Sequence, residues 1–166
     1  MAVEGHEFER AFRGAVQYAL NSGFSEISEL RPVQEEALLH FIKHEDVLAV
    51  LPTGCGKSLI FRLLQVCLYL HDRGLSCSKA PIVVVICPLN ALIESHILEL
   101  KEHGISAFSL ADDDLLKDDV ASHSIDFTSP ELIRREEKWC KVLQSKTFQD
   151  RLFGLVTDEM HVVPKW

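Results

Sequence analysis

Residues 46–58 constrain the fold of this chain more than any other segment. Asp46 to Leu51 is mostly apolar, as expected of a buried strand, and it leads into a glycine-rich turn with the sequence Pro-Thr-Gly-Cys-Gly-Lys-Ser. The glycines allow backbone N–H groups to face a polyphosphate, Lys57 supplies a positive charge, and the Ser58 hydroxyl can ligate magnesium. Apolar residues then recur at helical spacing to about Arg73. This order of strand, loop and helix predicts an α/β fold with a phosphate-binding loop (P-loop, residues 52–58).

Composition limits the remaining possibilities. The chain has 166 residues, of which 47% are hydrophobic and 25% charged, so it can form one globular domain with a full core. Its longest apolar run, Ile82 to Cys87, is too short to span a bilayer, and the first twenty residues show no signal-peptide pattern. These features predict an intracellular protein without a membrane segment. The net charge of −8 argues against a generic basic nucleic-acid binder, but not against a local site.

Several polar clusters have a simple structural interpretation. Five cysteines form no Cys-Xaa-Xaa-Cys pair and are interpreted as reduced thiols. His40 and His44 are one helical turn apart, which could suit a metal, but a solvated helix face is the simpler interpretation. The acidic stretch 112–119 is interpreted as a solvated helix start and loop, with an interaction segment as the alternative.

Helices and strands alternate along the chain in the α/β manner. We predict an N-terminal helical segment over 1–22 and one P-loop domain over 23–166. The predicted strands are 46–51, 82–87, 105–110, 124–128 and 153–157, and the predicted helices include Phe8 to Leu20 and those that begin at Pro32, after Pro88 and at Pro130.

An acidic pair, Asp158 and Glu159, follows the last predicted strand. Ligands of open α/β sheets bind beyond the carboxyl ends of the strands, so these carboxylates are expected beside the P-loop. Asp158 can hold magnesium and Glu159 can orient and deprotonate a water. An isolated Asp-Glu pair is common on surfaces, and it is the preceding strand and P-loop that favour a functional role.

These motifs together resemble those of RecQ-like DNA helicases of superfamily 2. The P-loop lacks the first glycine of the strict pattern, with Leu51 in its place, as in that superfamily, and Asp158-Glu159-Met160-His161 is similar to its acidic motif. The resemblance implies a RecA-like P-loop NTPase fold, a three-layer sandwich with a mainly parallel sheet. It further implies that ATP and Mg²⁺ are bound, with Ser58 and Asp158 as metal ligands. The residues that it places at the nucleotide are Arg31, Gln34, Thr53, Gly54, Cys55, Gly56, Lys57 and Ser58, and the catalytic ones are Lys57, Asp158, Glu159 and His161.

Further segments are similar to the family's opening and DNA-contacting motifs. Leu30-Arg31-Pro32-Val33-Gln34 resembles its Phe-Arg-Pro-Xaa-Gln segment, which implies that Gln34 reads the adenine. Cys87 to Leu92 resembles motif Ia and Thr128 to Glu131 resembles motif Ib, although each could be an ordinary capped turn. Their strand-to-helix turns would contact DNA phosphates. The resemblance assigns these contacts to Pro88, Asn90, Ser129 and Pro130, with Trp166 at the start of an aromatic-rich loop.

The resemblance covers roughly residues 15–166 and only the first RecA-like half, since motif III and the second half lie beyond it. It implies a 3'–5' helicase of DNA repair and recombination, nuclear if the source is eukaryotic. We expect the isolated chain to bind ATP, to bind single-stranded or duplex DNA weakly and to unwind nothing. A catalytically inactive protein-interaction module and an RNA- or protein-directed ATPase are the alternatives.

Overall fold

The computed structural model describes residues 2–23, 27–52, 55–63, 66, 70, 81–111, 124–135 and 137–159. The chain forms two compact units, Met1–Ala80 and Pro81–Trp166. The described elements of the first unit are three helices: α1 (Ala2–Gly23), α2 (Pro32–Ile42) and α3 (Lys57–Arg62).

The first two helices follow from their apolar spacing. In α1, Phe12, Val16 and Ala19 share one face and are buried. Pro32 is the first residue of α2, where its missing N–H costs no hydrogen bond. The helices predicted over Phe8 to Leu20 and from Pro32 are therefore confirmed, although α1 begins six residues earlier than predicted.

The strand predicted from Asp46 to Leu51 is wrong. Residues 45–52 are described and form no strand, and the side chains of Leu48 and Val50 are 74% and 83% exposed. The partner of a parallel strand is distant in sequence, because parallel strands are joined by long crossover connections. An apolar run therefore forms a strand only where the folded chain brings such a partner beside it. No strand in the described part of the chain pairs with this segment.

The second unit contains a four-stranded sheet in which every strand is parallel to its neighbours. Its strands are in the order β2-β3-β1-β4. In chain order the elements are β1 (Ile82–Ile86), α4 (Asn90–Glu102), β2 (Ala107–Ser109), β3 (Ile125–Thr128), α5 (Pro130–Arg135), α6 (Glu137–Gln144), α7 (Lys146–Gln149) and β4 (Leu152–Thr157). The four strands predicted in this unit and the predicted parallel sheet are confirmed.

Helices cover both faces of this sheet. Val84 of β1 and Phe108 of β2 lie beside β3 on one face, where they join a cluster with Trp139 and Phe148 from α6 and α7. On the opposite face the ring of His96, from α4, stacks against Phe127. The layers of this unit are therefore helix, sheet and helix.

One carboxylate lies inside this packing. Asp126 of β3 is 0% exposed, and its register neighbours Val84 and Phe108 place it on the face of the apolar cluster. Its oxygens have no hydrogen-bond partner in the described part of the chain. Burial raises the pKa of Asp126 to about 7, and the charge of Arg151 offsets only part of that effect.

Candidate nucleotide site

The P-loop of the first unit is described from Cys55 onward. The Cys55 N–H donates to the carbonyl oxygen of Pro52 at 3.2 Å, which closes the turn, and α3 begins at Lys57. Gly56 has φ +70°, and a Cβ there would lie 2.8 Å from the Gln34 side chain. Only glycine fits this backbone without strain. The loop therefore has the tight, glycine-dependent turn that a phosphate-binding loop requires.

Gln34 holds this loop through its side chain. Its Nε2 donates to the carbonyl oxygens of Cys55 at 3.1 Å and Gly56 at 3.0 Å, while its Oε1 accepts from the Arg31 N–H at 2.9 Å. The residue is 3% exposed. Both amide hydrogens and the amide oxygen are thus engaged by backbone groups. The structure brings together three of the predicted nucleotide residues, Gln34, Cys55 and Gly56, whereas the Arg31 side chain is exposed.

The acidic pair of the second unit lies directly after β4. The Asp158 N–H donates to the Ile86 carbonyl oxygen at 2.9 Å, which continues the pairing of β4 with β1 by one residue. The Glu159 N–H donates to Asp158 Oδ1 at 2.9 Å, and Glu159 adopts φ +52°. This left-handed conformation is uncommon for a non-glycine residue and turns the chain sharply. The sheet therefore fixes Asp158 at its carboxyl edge.

A histidine that the sequence analysis did not place in the site contacts this carboxylate. His96 of α4 is 7% exposed, and its Nε2 lies 3.9 Å from Asp158 Oδ2. Its ring is stacked on Phe127 with centroids 5.9 Å apart. The sequence feature that could have identified His96 is its position among the buried residues of a helix that directly follows a strand.

Cys87, at the end of β1, is buried near the same carboxylates. Burial is the largest effect and raises the pKa of its thiol. The hydrogen bond from the thiol to the Leu89 carbonyl oxygen lowers the pKa in part, and the negative charges of Asp158 and Glu159 add smaller increases. A thiol with a raised pKa is a poor nucleophile at neutral pH. Cys87 therefore has a packing role at this edge.

The turns predicted to contact nucleic acid lie side by side. β1 and β3 are neighbours, with Ile86 opposite Thr128, so the turns that carry Pro88 and Ser129 leave the same edge of the sheet. Ser129 caps α5, since its Oγ accepts from the Leu132 N–H at 3.2 Å, and Pro130 is the first residue of that helix. Asn90 is exposed at the start of α4. Asp158 follows β4 on the other side of β1.

Some predicted site residues lie outside the described part of the chain. These are Thr53, Gly54, His161 and Trp166, together with the side chain of Ser58.

Comparison with known proteins identifies the family. Residues 31–166 match the DEAD/DEAH box helicase family. The chain belongs to that family. Its relatives include ATP-dependent DNA helicase Q1 of Rattus norvegicus, 28% identical over 163 residues that cover 92% of this chain and 24% of the relative. ATP-dependent DNA helicase Q-like SIM of Arabidopsis thaliana is 34% identical over 145 residues, covering 84% of this chain and 15% of the relative.

A third relative is ATP-dependent helicase SGS1 of Saccharomyces cerevisiae, 29% identical over 167 residues that cover 91% of this chain and 10% of the relative. The predicted resemblance to RecQ-like helicases and the predicted RecA-like fold are confirmed by these matches and by the parallel sheet. The chain spans a quarter or less of the length of these relatives.

The family implies ATP with Mg²⁺, and the described residues of this chain fit both. Mg²⁺ is usually held by one or two carboxylates together with substrate phosphates, and Asp158 offers a carboxylate at the edge of the sheet. Among the described residues no group of three or more His, Cys, Asp or Glu side chains that could hold a metal occurs. No helix within the described ranges is long and apolar enough to cross a membrane.

Proposed function

We propose that this chain is the ATP-binding part of a RecQ-like, ATP-dependent DNA helicase. The observation that carries the proposal is the fixed position of Asp158, whose backbone is paired to β1 while its carboxylate emerges at the carboxyl edge of a parallel sheet. Relatives named as DNA helicases support the reaction class. The 3'–5' direction of unwinding, a role in DNA repair and recombination, and a nuclear location belong to the same proposal.

The P-loop residues bind the phosphates in this proposal. The left-handed backbone at Gly56 lets the loop pass close to an anion without a Cβ in the way. Lys57 places its ammonium group at the outer phosphates, where it offsets their negative charge. Thr53 and Gly54 supply backbone donors, and the Cys55 N–H joins them when it exchanges the Pro52 carbonyl oxygen for a phosphate oxygen. The Ser58 hydroxyl is a metal ligand.

The acidic pair acts on the metal and on water. A magnesium ion bound with ATP would supply positive charge that offsets the negative charge of the phosphates. Asp158 holds that ion, and its backbone hydrogen bond to Ile86 limits how far the carboxylate can move. Glu159, whose backbone turns sharply at φ +52°, orients and deprotonates the attacking water. His161 couples the nucleotide state to bound DNA.

Adenine recognition by Gln34 requires a change of partners. An adenine edge needs one donor and one acceptor from the amide, and both amide hydrogens of Gln34 now donate to Cys55 and Gly56. We propose that ATP binding exchanges one of these bonds for the base, with Arg31 beside the nucleotide.

DNA contact is assigned to the two adjacent turns of the second unit. Pro88, Asn90, Ser129 and Pro130 are on turns that present backbone N–H groups at helix starts, which suits phosphates and carries no sequence information. Trp166 would add stacking. Because the chain covers 24% of a matched DNA helicase, strand separation is not expected of residues 1–166 tested alone.

A calorimetric titration tests the proposed function. The chain is titrated with ATP and with GTP in the presence of Mg²⁺, next to Lys57→Ala, Gln34→Ala and the control Lys43→Ala, an exposed lysine of the same unit. Loss of a charge-assisted contact predicts about a 10- to 100-fold weaker ATP affinity for Lys57→Ala. Lys43→Ala should bind like the wild type, and Gln34→Ala should lose the preference for ATP over GTP. A folded wild-type chain that binds no ATP would overturn the proposal.

A further inference from the structure

The buried histidine of α4 has polar geometry that simple packing does not explain. His96 is 7% exposed and its Nε2 lies 3.9 Å from Asp158 Oδ2. Burial of an imidazole costs free energy unless its nitrogens meet polar groups. An apolar side chain would fill the same space between α4 and Phe127 without that cost.

The ring of His96 has little freedom to turn away from the carboxylate. Phe127, which is 0% exposed, stacks on it with an angle of 19° between the rings. Because Phe127 is paired to β1 through the sheet, the ring rests on the same rigid element that carries Asp158. The contact of 3.9 Å is too long for a direct hydrogen bond, so it acts as an electrostatic attraction or through one water.

Two different groups therefore act on the two oxygens of one carboxylate. The Glu159 N–H holds Oδ1 at 2.9 Å, and His96 faces Oδ2. Groups that contact a metal-ligating carboxylate fix its orientation, and their loss typically costs 10- to 100-fold in metal affinity.

We propose that His96 is a positioning residue for Asp158, which it holds in the orientation that receives Mg²⁺ bound with ATP. The proposal rests on the proposed function of Asp158 as the metal ligand. His96 itself contacts neither metal nor nucleotide.

The test compares His96→Leu, which removes both ring nitrogens, with His96→Gln, whose amide nitrogen reaches the position of Nε2. Leu100→Ala is the control, because Leu100 is 0% exposed on the same helix and its loss weakens packing alone. ATP affinity of the full chain is measured by calorimetry over a range of Mg²⁺ concentrations and in EDTA. Electron paramagnetic resonance of Mn²⁺ with ATP reports the metal environment directly.

His96→Leu should raise the Mg²⁺ concentration needed for tight ATP binding by about 10-fold or more and alter the Mn²⁺ spectrum, with unchanged affinity in EDTA. His96→Gln should stay within about 3-fold of the wild type, and Leu100→Ala should keep the wild-type Mg²⁺ dependence. An unchanged Mg²⁺ dependence in His96→Leu, or an equal shift in Leu100→Ala, would overturn the positioning role.

A measurement without nucleotide separates this inference from the proposed function. If the wild-type chain binds no ATP, the proposed function fails. Whether His96 and Asp158 interact is then decided by urea unfolding of three variants, His96→Leu, Asp158→Asn and the double variant. If the two residues are coupled, the effect of His96→Leu on the unfolding equilibrium constant should differ by a factor of about 2 or more between the wild type and Asp158→Asn. Equal effects in both backgrounds would exclude positioning.

Discussion

The P-loop of the first unit is fixed by one side chain, whereas the acidic pair of the second unit is fixed by a sheet. Gln34 makes three hydrogen bonds that hold the loop to the start of α2. Asp158 instead follows a strand that is paired to β1 along its length. A loop that depends on one amide should be sensitive to single substitutions near it. A site at a sheet edge should respond instead to changes in the core beneath it.

The largest expected effect concerns that core and comes from the pH dependence of Asp126. Its folded-state pKa of about 7 exceeds the value of roughly 3.9 in an unfolded chain, so the folded state binds the proton more tightly. The contribution of Asp126 to the free energy of unfolding is therefore greatest at low pH and is lost as the pH rises through the folded-state pKa. Relative to Asp126→Asn, the wild type should lose about 3 kcal/mol of unfolding free energy between pH 5 and pH 8.

Urea denaturation of both proteins at the two pH values measures this loss. Asp126→Leu, which adds apolar volume to the cluster, should be the most stable variant at pH 8. Parallel pH profiles for the wild type and Asp126→Asn would show that the carboxyl group does not titrate in the folded core.

Gln34→Ala tests the loop side of the comparison. The substitution removes the partner of two P-loop carbonyl groups, of Cys55 and Gly56, and of the Arg31 N–H at the start of α2. It should therefore cost about 2 kcal/mol of unfolding free energy. Gln17→Ala is the matched control, since Gln17 is exposed and makes one contact, with Asn21 at 3.1 Å. Equal costs for the two variants, measured by urea denaturation, would contradict a special role for Gln34.

Gly56→Ala disturbs the same loop through its backbone. A Cβ at φ +70°, 2.8 Å from Gln34 Nε2, should cost about 1 to 2 kcal/mol and weaken ATP binding about 10-fold. Gly14→Ala provides the control, because Gly14 lies in the interior of α1 and, apart from its chain neighbours and the helix backbone, no atom of the described residues lies within 4 Å of a Cβ built there. That helical substitution should stabilise the chain by about 0.5 to 1 kcal/mol. The same sign for both variants in thermal melts would be inconsistent with a strained left-handed turn at Gly56.

The smallest effect concerns a turn of the second unit. Ser129→Ala and Ser145→Ala each remove a helix cap, of α5 and α7, and each should cost about 1 kcal/mol. Only Ser129 lies on a predicted DNA-contacting turn. Fluorescence anisotropy with labelled single-stranded DNA should therefore show weaker binding for Ser129→Ala alone. Equal DNA affinities of the two variants would remove Ser129 from the proposed interface.

Sequence patterns predicted the second unit better than the first. Ile82 to Val85 are at most 2% exposed, and a continuous apolar run after a proline is typical of a strand that is buried on both faces. The same reasoning failed at Asp46 to Leu51, where Leu48 and Val50 are exposed. An apolar run shows that a segment favours a buried strand, but the strand forms only when it pairs with other strands that are distant in sequence.

The contacts of polar residues were the part that sequence could not supply. His96 shares the helical spacing of Ile93 and Leu100, the other buried residues of α4, but its distance from Asp158 depends on how α4 packs on the sheet. Asp126 fell within a predicted strand, and only the helices on that face make it a buried acid. Gln34 was predicted at the nucleotide, and its bonds to Cys55 and Gly56 became visible only in the folded loop.

The most direct test of the proposed division of roles is the Mg²⁺ dependence of ATP binding in Lys57→Ala and Asp158→Asn. If the P-loop binds phosphates and the sheet edge binds the metal, Lys57→Ala should weaken ATP binding with and without Mg²⁺. Asp158→Asn should bind ATP equally well in both conditions, because the metal no longer adds affinity. A folded Asp158→Asn chain that keeps the full wild-type gain from Mg²⁺ would contradict the assignment of Asp158 and the helicase site built on it.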